Sequence, residues 1–410
     1  MFKRSIIYYI LIFTLVFNLF AVSVFAASTS EDVYDTAAVI KIMDKTNVFE
    51  LKAKSAVLMD AVTGNVLLEK NSHERLPFAS VTKVMSMLLI MEAIDLGKMA
   101  FEDKVVVSEH SYSMGGSQVW LEPGEEFTVN EMLKAVTVCS ANDATVALAE
   151  KVAGSEDTFV AMMNEKAKAL GMNDTNFLDC TGLTDEGHYS SAYDIALMSR
   201  ELVIKHPKIL EYTSIWHDLF RDGVEGKKPI SLDNTNKLIR FYDGANGLKT
   251  GFTSAAMYCL SASAKRGNLE LISVVLGEPD TNTRFAESRK LLDYGFANFE
   301  TTQINTKGEF IQEIEVKKGL ATSVKAIYAE DVKLLLKKGE KGKIERIVNI
   351  ETSMTAPISA GQKVGEVLFK VDGNEVGKAE VVTEGSVDKA SFMRLFFKMM
   401  LEWFGIGRDS

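Results

Sequence analysis

Residues 77–97 read Pro77-Phe-Ala-Ser80-Val-Thr-Lys83-Val-Met-Ser-Met-Leu-Leu-Ile-Met91-Glu-Ala-Ile-Asp-Leu-Gly97. Between Val81 and Leu96, the residues Val84, Met85, Met87, Leu88, Leu89, Ile90, Met91, Ala93 and Ile94 leave almost no polar face. This pattern predicts a helix buried on every side, with Gly97 as its stop. Ser80 stands at its N-terminus, where unpaired N–H groups and the helix dipole favour negative charge. Lys83 lies one turn on, along the same face, so its amine can reach the serine oxygen. A lysine among apolar neighbours has little access to water and needs a partner. Desolvation and a second nearby cation lower its pKa toward that of a useful base. Read alone, Ser-x-x-Lys also fits an N-cap serine followed by a solvated lysine.

Two further motifs follow in order. Thr128-Val-Asn-Glu131 is a capping box that opens a helix to about Val138, and a second helix runs from Asp143 to about Val152. Ser140-Ala-Asn142 is the corner between them. Ser140 can relay a proton there and Asn142 can hydrogen-bond a substrate amide; a plain turn, with Asn142 or Asp143 capping the second helix, fits as well. The third motif, Lys249-Thr-Gly251-Phe-Thr, is expected to open a strand that leads into the hairpin Tyr258–Ala264 and Leu269–Leu276. A strand edge beside a site can pair with an extended peptide, and Gly251 permits close backbone approach. Lys249 and Thr250 can hold a carboxylate. A turn glycine among solvated residues is the alternative. Jointly the motifs supply a serine, an adjacent lysine, a second hydroxyl, an amide and a second lysine, which suffices for acyl transfer through a serine ester without histidine.

Other chemistries find less support. The five histidines form no His-Glu-x-x-His motif, and no Gly-x-Ser-x-Gly elbow or phosphate-binding glycine loop is present. Cys139, Cys180 and Cys259 are odd in number and lack zinc-site spacing, so buried free thiols are expected. Neither a metal nor a cofactor is expected. Lys3 and Arg4 precede an apolar run from Ile6 to Phe25, and Val24-Phe25-Ala26 offers small residues at a cleavage point. Residues 1–26 therefore read as a secretory signal peptide; an uncleaved membrane anchor is the other reading. Losing Lys3 and Arg4 takes the formal net charge from −10 to −12, and an acidic body argues against nucleic acid as a partner.

The chain resembles the penicillin-binding and β-lactamase superfamily, and within it the serine-type D-alanyl-D-alanine carboxypeptidases, the low-molecular-mass penicillin-binding proteins. The likeness rests on Pro77–Lys83, Ser140-Ala-Asn-Asp143-Ala, Gly187-His-Tyr-Ser-Ser-Ala-Tyr-Asp194, Asn234-Thr-Asn-Lys-Leu, Gly247-Leu-Lys-Thr-Gly-Phe-Thr253 and Arg284-Phe-Ala-Glu-Ser. It implies an α+β fold, an antiparallel sheet flanked by helices over residues 27–300, a small β-rich domain over 303–384 and an amphipathic helix over 387–405. It also implies roles. Ser80 attacks the carbonyl between two terminal D-alanines and Lys83 takes its proton. Ser140, with Lys249, returns a proton to the leaving D-alanine, and Asn142 steadies the acyl donor. Thr250 and Arg284 bind the terminal carboxylate. The N–H groups of Ser80 and Phe252, the latter beside Gly251, form an oxyanion hole. The implied partners are peptidoglycan stem peptides ending in D-Ala-D-Ala and β-lactam antibiotics, which acylate Ser80 and leave slowly. One departure stands out: Met257 occupies a position that is usually glycine in the family, which puts turnover in doubt more than acylation.

In the β-rich stretch the clearest hairpin is Val364–Val371 and Glu375–Val382 around Asp372-Gly-Asn374. Beyond it, Arg394, Lys398 and Glu402 make one narrow polar stripe opposite Phe392, Leu395, Phe396, Met399 and Trp403. Such a helix suits lying in a membrane interface rather than spanning it, here on the outer face of a bacterial cytoplasmic membrane. Docking on the protein or a partner is the alternative. Two rival functions remain from sequence: a catalytically slow penicillin- or wall-binding protein, motivated by Met257, and a β-lactamase. The latter lacks support because no Glu-x-x-Leu-Asn segment lies between the second and third motifs.

Overall fold

The computed structural model describes residues 50–184, 186–223 and 226–403. The signal segment expected over residues 1–26 lies outside the described residues, as do those after Trp403.

A five-stranded antiparallel sheet runs in the order Val66–Lys70, Ser55–Asp60, Leu269–Glu278, Met257–Arg266, Ala245–Thr253. Alternation sorts its side chains. Val57, Met59, Ile272, Val274 and Leu276 join one apolar cluster with the helices Lys83–Asp95, Asn142–Ala153 and Ala192–Lys205. Ala56, Leu58, Leu271 and Val275 join another with Leu291, Leu292 and Phe296 of the helix Thr281–Asn298. Gly295 lets that helix lie close, since a Cβ there would stand 2.4 Å from Leu271 Cδ1. The result is an α+β domain with its sheet between helices.

The Lys83–Asp95 helix is buried on all sides as expected, from Lys83 itself through Met91. Ser80, however, is not on its first turn. It sits on a 3-10 turn, Ala79–Thr82, ahead of the helix. In that turn Ala79 adopts a left-handed φ of 51°, and the Thr82 hydroxyl donates to the Ala79 carbonyl at 2.7 Å. The third motif is also displaced from its expected place. It ends the strand Ala245–Thr253 rather than opening it, and that strand is an edge of the sheet. The Thr128–Glu131 capping box is present, and its helix passes into a π-turn at Ala135–Cys139 that Ser140 terminates with φ 68°.

After the Thr281–Asn298 helix the described chain is β until Thr383, apart from a 3-10 turn at Lys341–Lys343. Strands Lys363–Val371 and Asn374–Thr383 pair as the expected hairpin within a six-stranded sheet. Ile314, Val316, Ala326, Val367, Phe369 and Val381 fill a separate core. A final helix, Phe392–Trp403, starts later than Val387, whose backbone instead bridges Ile358. Phe392, Met393, Phe397, Met399 and Trp403 are exposed along it. No described helix is long and apolar enough to cross a membrane.

Candidate active site

The site begins where the edge strand meets the nucleophile turn. A Cβ on Gly251 would stand 2.5 Å from the Phe78 carbonyl and 3.2 Å from both Val81 N and Val81 Cγ2. The glycine is therefore required first by packing against the Ser80 turn, a reason closer to hand than ligand approach. The opposite side of the turn is equally tight: a Cβ on Gly182 would fall 2.0 Å from the Ala79 carbonyl oxygen. Buried His188 completes the support. Its Nδ1 accepts from the Leu178 N–H at 3.1 Å, so Nε2 carries the hydrogen and donates to Thr82 Oγ1 at 2.8 Å.

Lys83 is fully buried. Its Nζ lies 3.1 Å from Ser80 Oγ, 2.6 Å from Asn142 Oδ1 and 2.8 Å from the Thr181 carbonyl. Burial pulls its pKa down to about 8. As a neutral amine it has two hydrogens for the two carbonyl-type acceptors, which aims its lone pair at the Ser80 hydroxyl. Asn142 cannot flip, because its Nδ2 donates to the Gly115 carbonyl at 2.7 Å. Its side chain thus serves the lysine, not a helix cap; the Asn142–Ala153 helix has no side-chain cap at all. Asp143 accepts from the N–H groups of Val119 and Leu121 and, through Oδ1, from the adjacent Ala144 N–H at 2.9 Å.

Ser140 Oγ is buried and without a hydrogen-bond partner. Lys249 is also buried, and its one hydrogen bond is a 3.2 Å donation to the Thr250 carbonyl. Burial, then Lys83, then Arg284 hold its pKa well below the usual lysine value. Cys139, beside Ser140, contributes no anion, since burial lifts its thiol to about 11. A buried hydroxyl without a partner and a buried lysine amine with one weak acceptor are costly unless a ligand completes them.

Thr250 Oγ1 donates to Thr235 Oγ1 at 2.6 Å. Asn234 and Asn236 pin the Thr235 loop through the Thr213, Ile215 and Gly247 carbonyls. Phe252 is 55% exposed at the rim and packs on Tyr258. Arg284 is placed differently from a surface anion receptor. It is buried, stacks on Phe285 and donates through Nη1 to the Gly251 and Cys259 carbonyls, each at 3.3 Å. Burial lowers its pKa to about 10.

Met257 has φ 57°, the left-handed backbone that glycine adopts freely and other residues at a cost of roughly 1–2 kcal/mol. It nevertheless keeps register opposite Thr253, and the turn is tied by the Ala256 N–H to Thr253 Oγ1 at 3.0 Å. Ala79, Ser140 and Met257 are thus three non-glycine left-handed residues around one site.

The structure brings together Ser80, Lys83, Ser140, Asn142, Lys249, Thr250, Gly251, Phe252 and Arg284. It adds Thr181, His188 and Thr235. His188 and Thr235 lie in stretches already noted for their resemblance, while Thr181 acts through its backbone and carries no sequence signal. Among the described residues no cluster suited to a metal ion occurs.

Comparison with known proteins covers most of the chain. Residues 41–280 match the model of the D-alanyl-D-alanine carboxypeptidase family, peptidase S11, and residues 299–389 match the penicillin-binding protein 5 C-terminal domain. The D-alanyl-D-alanine carboxypeptidase DacF of Bacillus subtilis is 45% identical over 360 residues, covering 88% of this chain and 92% of that protein. Penicillin-binding protein 5 from Haemophilus influenzae superposes with a TM-score of 0.75 at 33% identity, over 83% of this chain and 99% of that one. The ampicillin-bound form of penicillin-binding protein D2 from Listeria monocytogenes does so with a TM-score of 0.54 at 31% identity, over 60% and 98%. The chain therefore belongs to the serine-type D-alanyl-D-alanine carboxypeptidases of the penicillin-binding protein 5 family, whose members act on peptidoglycan outside the cytoplasm.

Proposed function

We propose that this carboxypeptidase removes the terminal D-alanine of stem pentapeptides through an ester on Ser80, with Lys83 as the base. The observation that carries the reading is the buried Lys83 amine, 3.1 Å from Ser80 Oγ, with two other acceptors for its hydrogens. Its lone pair takes the Ser80 proton as Oγ bonds to the carbonyl carbon of the penultimate D-alanine. The Ser80 and Phe252 N–H groups receive the oxyanion. Lys83 gives that proton up through Ser140 and Lys249 to the departing D-alanine nitrogen as the C–N bond breaks, and is neutral again. Water then adds to the ester carbonyl, its hydroxyl going to the acyl carbon and its proton to Lys83, and Lys83 returns that proton to Ser80 Oγ as the ester C–O bond breaks.

Lys249 and Thr250 attract the terminal carboxylate. Arg284 serves the same end by holding the Gly251 and Cys259 carbonyls, with its guanidinium charge close behind the strand. β-Lactams acylate Ser80 as well, a reading supported by the ampicillin complex of the Listeria protein. The exposed apolar face of the Phe392–Trp403 helix is apt for the outer surface of the cytoplasmic membrane. The boundaries 1–26, 27–300, 303–384 and 387–405 are proposed as leader, catalytic domain, pedestal and membrane-associating helix.

The test is D-alanine release from a D-Ala-D-Ala-ended pentapeptide. Release that disappears in Ser80→Ala supports the reading, and release that persists overturns it. Penicillin labelling without peptide turnover would instead favour the slow penicillin-binding reading that Met257 motivates.

A further inference from the structure

Arg221 follows the strand His217–Phe220 and is 6% exposed. Its guanidinium sits against the packed Phe127 and Phe220 rings, 5.4 and 5.5 Å from centroids that are themselves 4.7 Å apart. Nη1 donates to the Val119 carbonyl at 3.1 Å and Nη2 to the Trp120 carbonyl at 2.7 Å, while Nη2 also pairs with Glu125. From the other side, the Asp143 carboxylate accepts from the Val119 N–H at 3.1 Å and the Leu121 N–H at 3.2 Å. The carbonyls of this short segment are held by an arginine and its N–H groups by an aspartate. Trp120 between them has φ 54° and is 69% exposed; Arg221 itself has φ 60°. Two non-glycine residues in left-handed backbone persist only where surrounding contacts over-determine them.

The gripped segment leads directly to Asn142. The Ser117 carbonyl accepts from the Asn142 N–H at 2.7 Å, and the Gly115 carbonyl accepts from Asn142 Nδ2 at 2.7 Å. Gly116 packs so closely that a Cβ there would stand 2.8 Å from Asn142 Nδ2. Asn142 Oδ1 in turn holds Lys83. We propose that Arg221 and Asp143 are positioning residues that clamp the Gly115–Leu121 segment onto Asn142, so that turnover depends on a side chain outside the reacting groups. This rests on the reading of Lys83 as the base. A lysine cannot replace the arginine, because the two carbonyls and two rings require a flat fork.

The test compares Arg221→Ala, Arg221→Lys and Lys227→Ala. Lys227 pairs with Glu122 and Glu125 near the clamp but touches neither carbonyl. In Arg221→Ala, kcat for D-alanine release should fall about 30-fold or more while KM changes less than about threefold. Millimolar guanidinium should restore part of that loss, Arg221→Lys should remain impaired, and Lys227→Ala should stay within about twofold of the parent. Hydrogen exchange read by mass spectrometry should speed up over residues 115–121 in both Arg221 variants, with the Lys83–Asp95 helix unchanged. Parental kcat in Arg221→Ala, an equal loss in Lys227→Ala, or unchanged exchange over 115–121 would overturn the clamp. Persistence of release in Ser80→Ala would remove the acyl-enzyme reading instead, while the exchange comparison would still judge the clamp.

Discussion

The catalytic domain and the β-rich region bury their polar groups very differently. The first buries Lys83, Lys249, Asn142, Ser140 and Arg284 around one cleft and leaves the Ser140 hydroxyl and Arg284 Nε without partners. The second buries Ile314, Val316, Val367, Phe369 and Val381, with Thr301, Asn305 and Thr383 the buried polar residues among those described. Left-handed non-glycine residues follow the same division. In the catalytic domain Ala79, Ser140 and Met257 surround the site, with Asn71, Trp120 and Arg221 elsewhere; in the β-rich region Lys318 and Asp372 lie outside the strands, between successive β segments. Buried atoms without a partner also occur at Ser55, Ser273 and Ser288 in the catalytic domain and at Thr301 and Asn305 in the β-rich region; what sets the site apart is an unpaired hydroxyl standing with two buried lysines and left-handed backbone, where a ligand can complete them.

The sharpest way to break this contrast is to alter the base. Lys83→Ala should lower kcat/KM by about 10³-fold or more, measured by D-alanine release. In the parent, kcat/KM should climb about tenfold per pH unit until the pH passes about 8, because only the neutral amine accepts the Ser80 proton. Stability should move the same way at higher pH. Between about 8 and 10.5 the unfolded chain retains a proton on Lys83 that the folded chain has lost, so unfolding free energy rises with pH across that window. A kcat/KM that is flat from pH 6 to 9 would contradict the assignment.

Next in size is Gly251→Ala. The added methyl meets the Phe78 carbonyl at 2.5 Å, and backbone oxygen does not yield as a flexible side chain does. Urea unfolding should register a loss of about 1–3 kcal/mol, and acylation by labelled penicillin should slow by about tenfold or more. A smaller catalytic effect belongs to the tail. Removing residues 391–410 should leave kcat/KM on a soluble pentapeptide within about twofold, yet abolish most co-sedimentation with anionic vesicles. A comparable loss of both would make the tail part of the catalytic machinery. Smallest is Met257→Gly, which exchanges left-handed strain for glycine entropy and should shift stability by less than about 1 kcal/mol. A large gain in turnover from that change would show that methionine restrains the site.

Much of this was readable in the chain because it depends on patterns local in sequence. The apolar run after Lys83 announced a buried helix, and the Asp372-Gly-Asn374 turn announced its hairpin. The less legible parts depend on tertiary backbone contacts. Ser80 lies on a 3-10 turn because Gly182 and Gly251 press on that turn from two sides, and neither is near it in sequence. The Thr181 carbonyl that receives Lys83 has no residue-type signature. Asn142 resembled a helix cap because its position suits one; a lysine 59 residues earlier took its side chain instead. Arg284, expected at the carboxylate, proved to be turned onto the Gly251 and Cys259 carbonyls.

The central claim is that Ser80 forms the covalent intermediate with help from Lys83. It is tested most directly by trapping the protein with ampicillin and mapping the adduct by peptide mass spectrometry. The account predicts one ampicilloyl group on the peptide containing Ser80, absent in Ser80→Ala and formed about 10³-fold more slowly in Lys83→Ala. An adduct on any other residue, or undiminished labelling of Ser80→Ala, would contradict it.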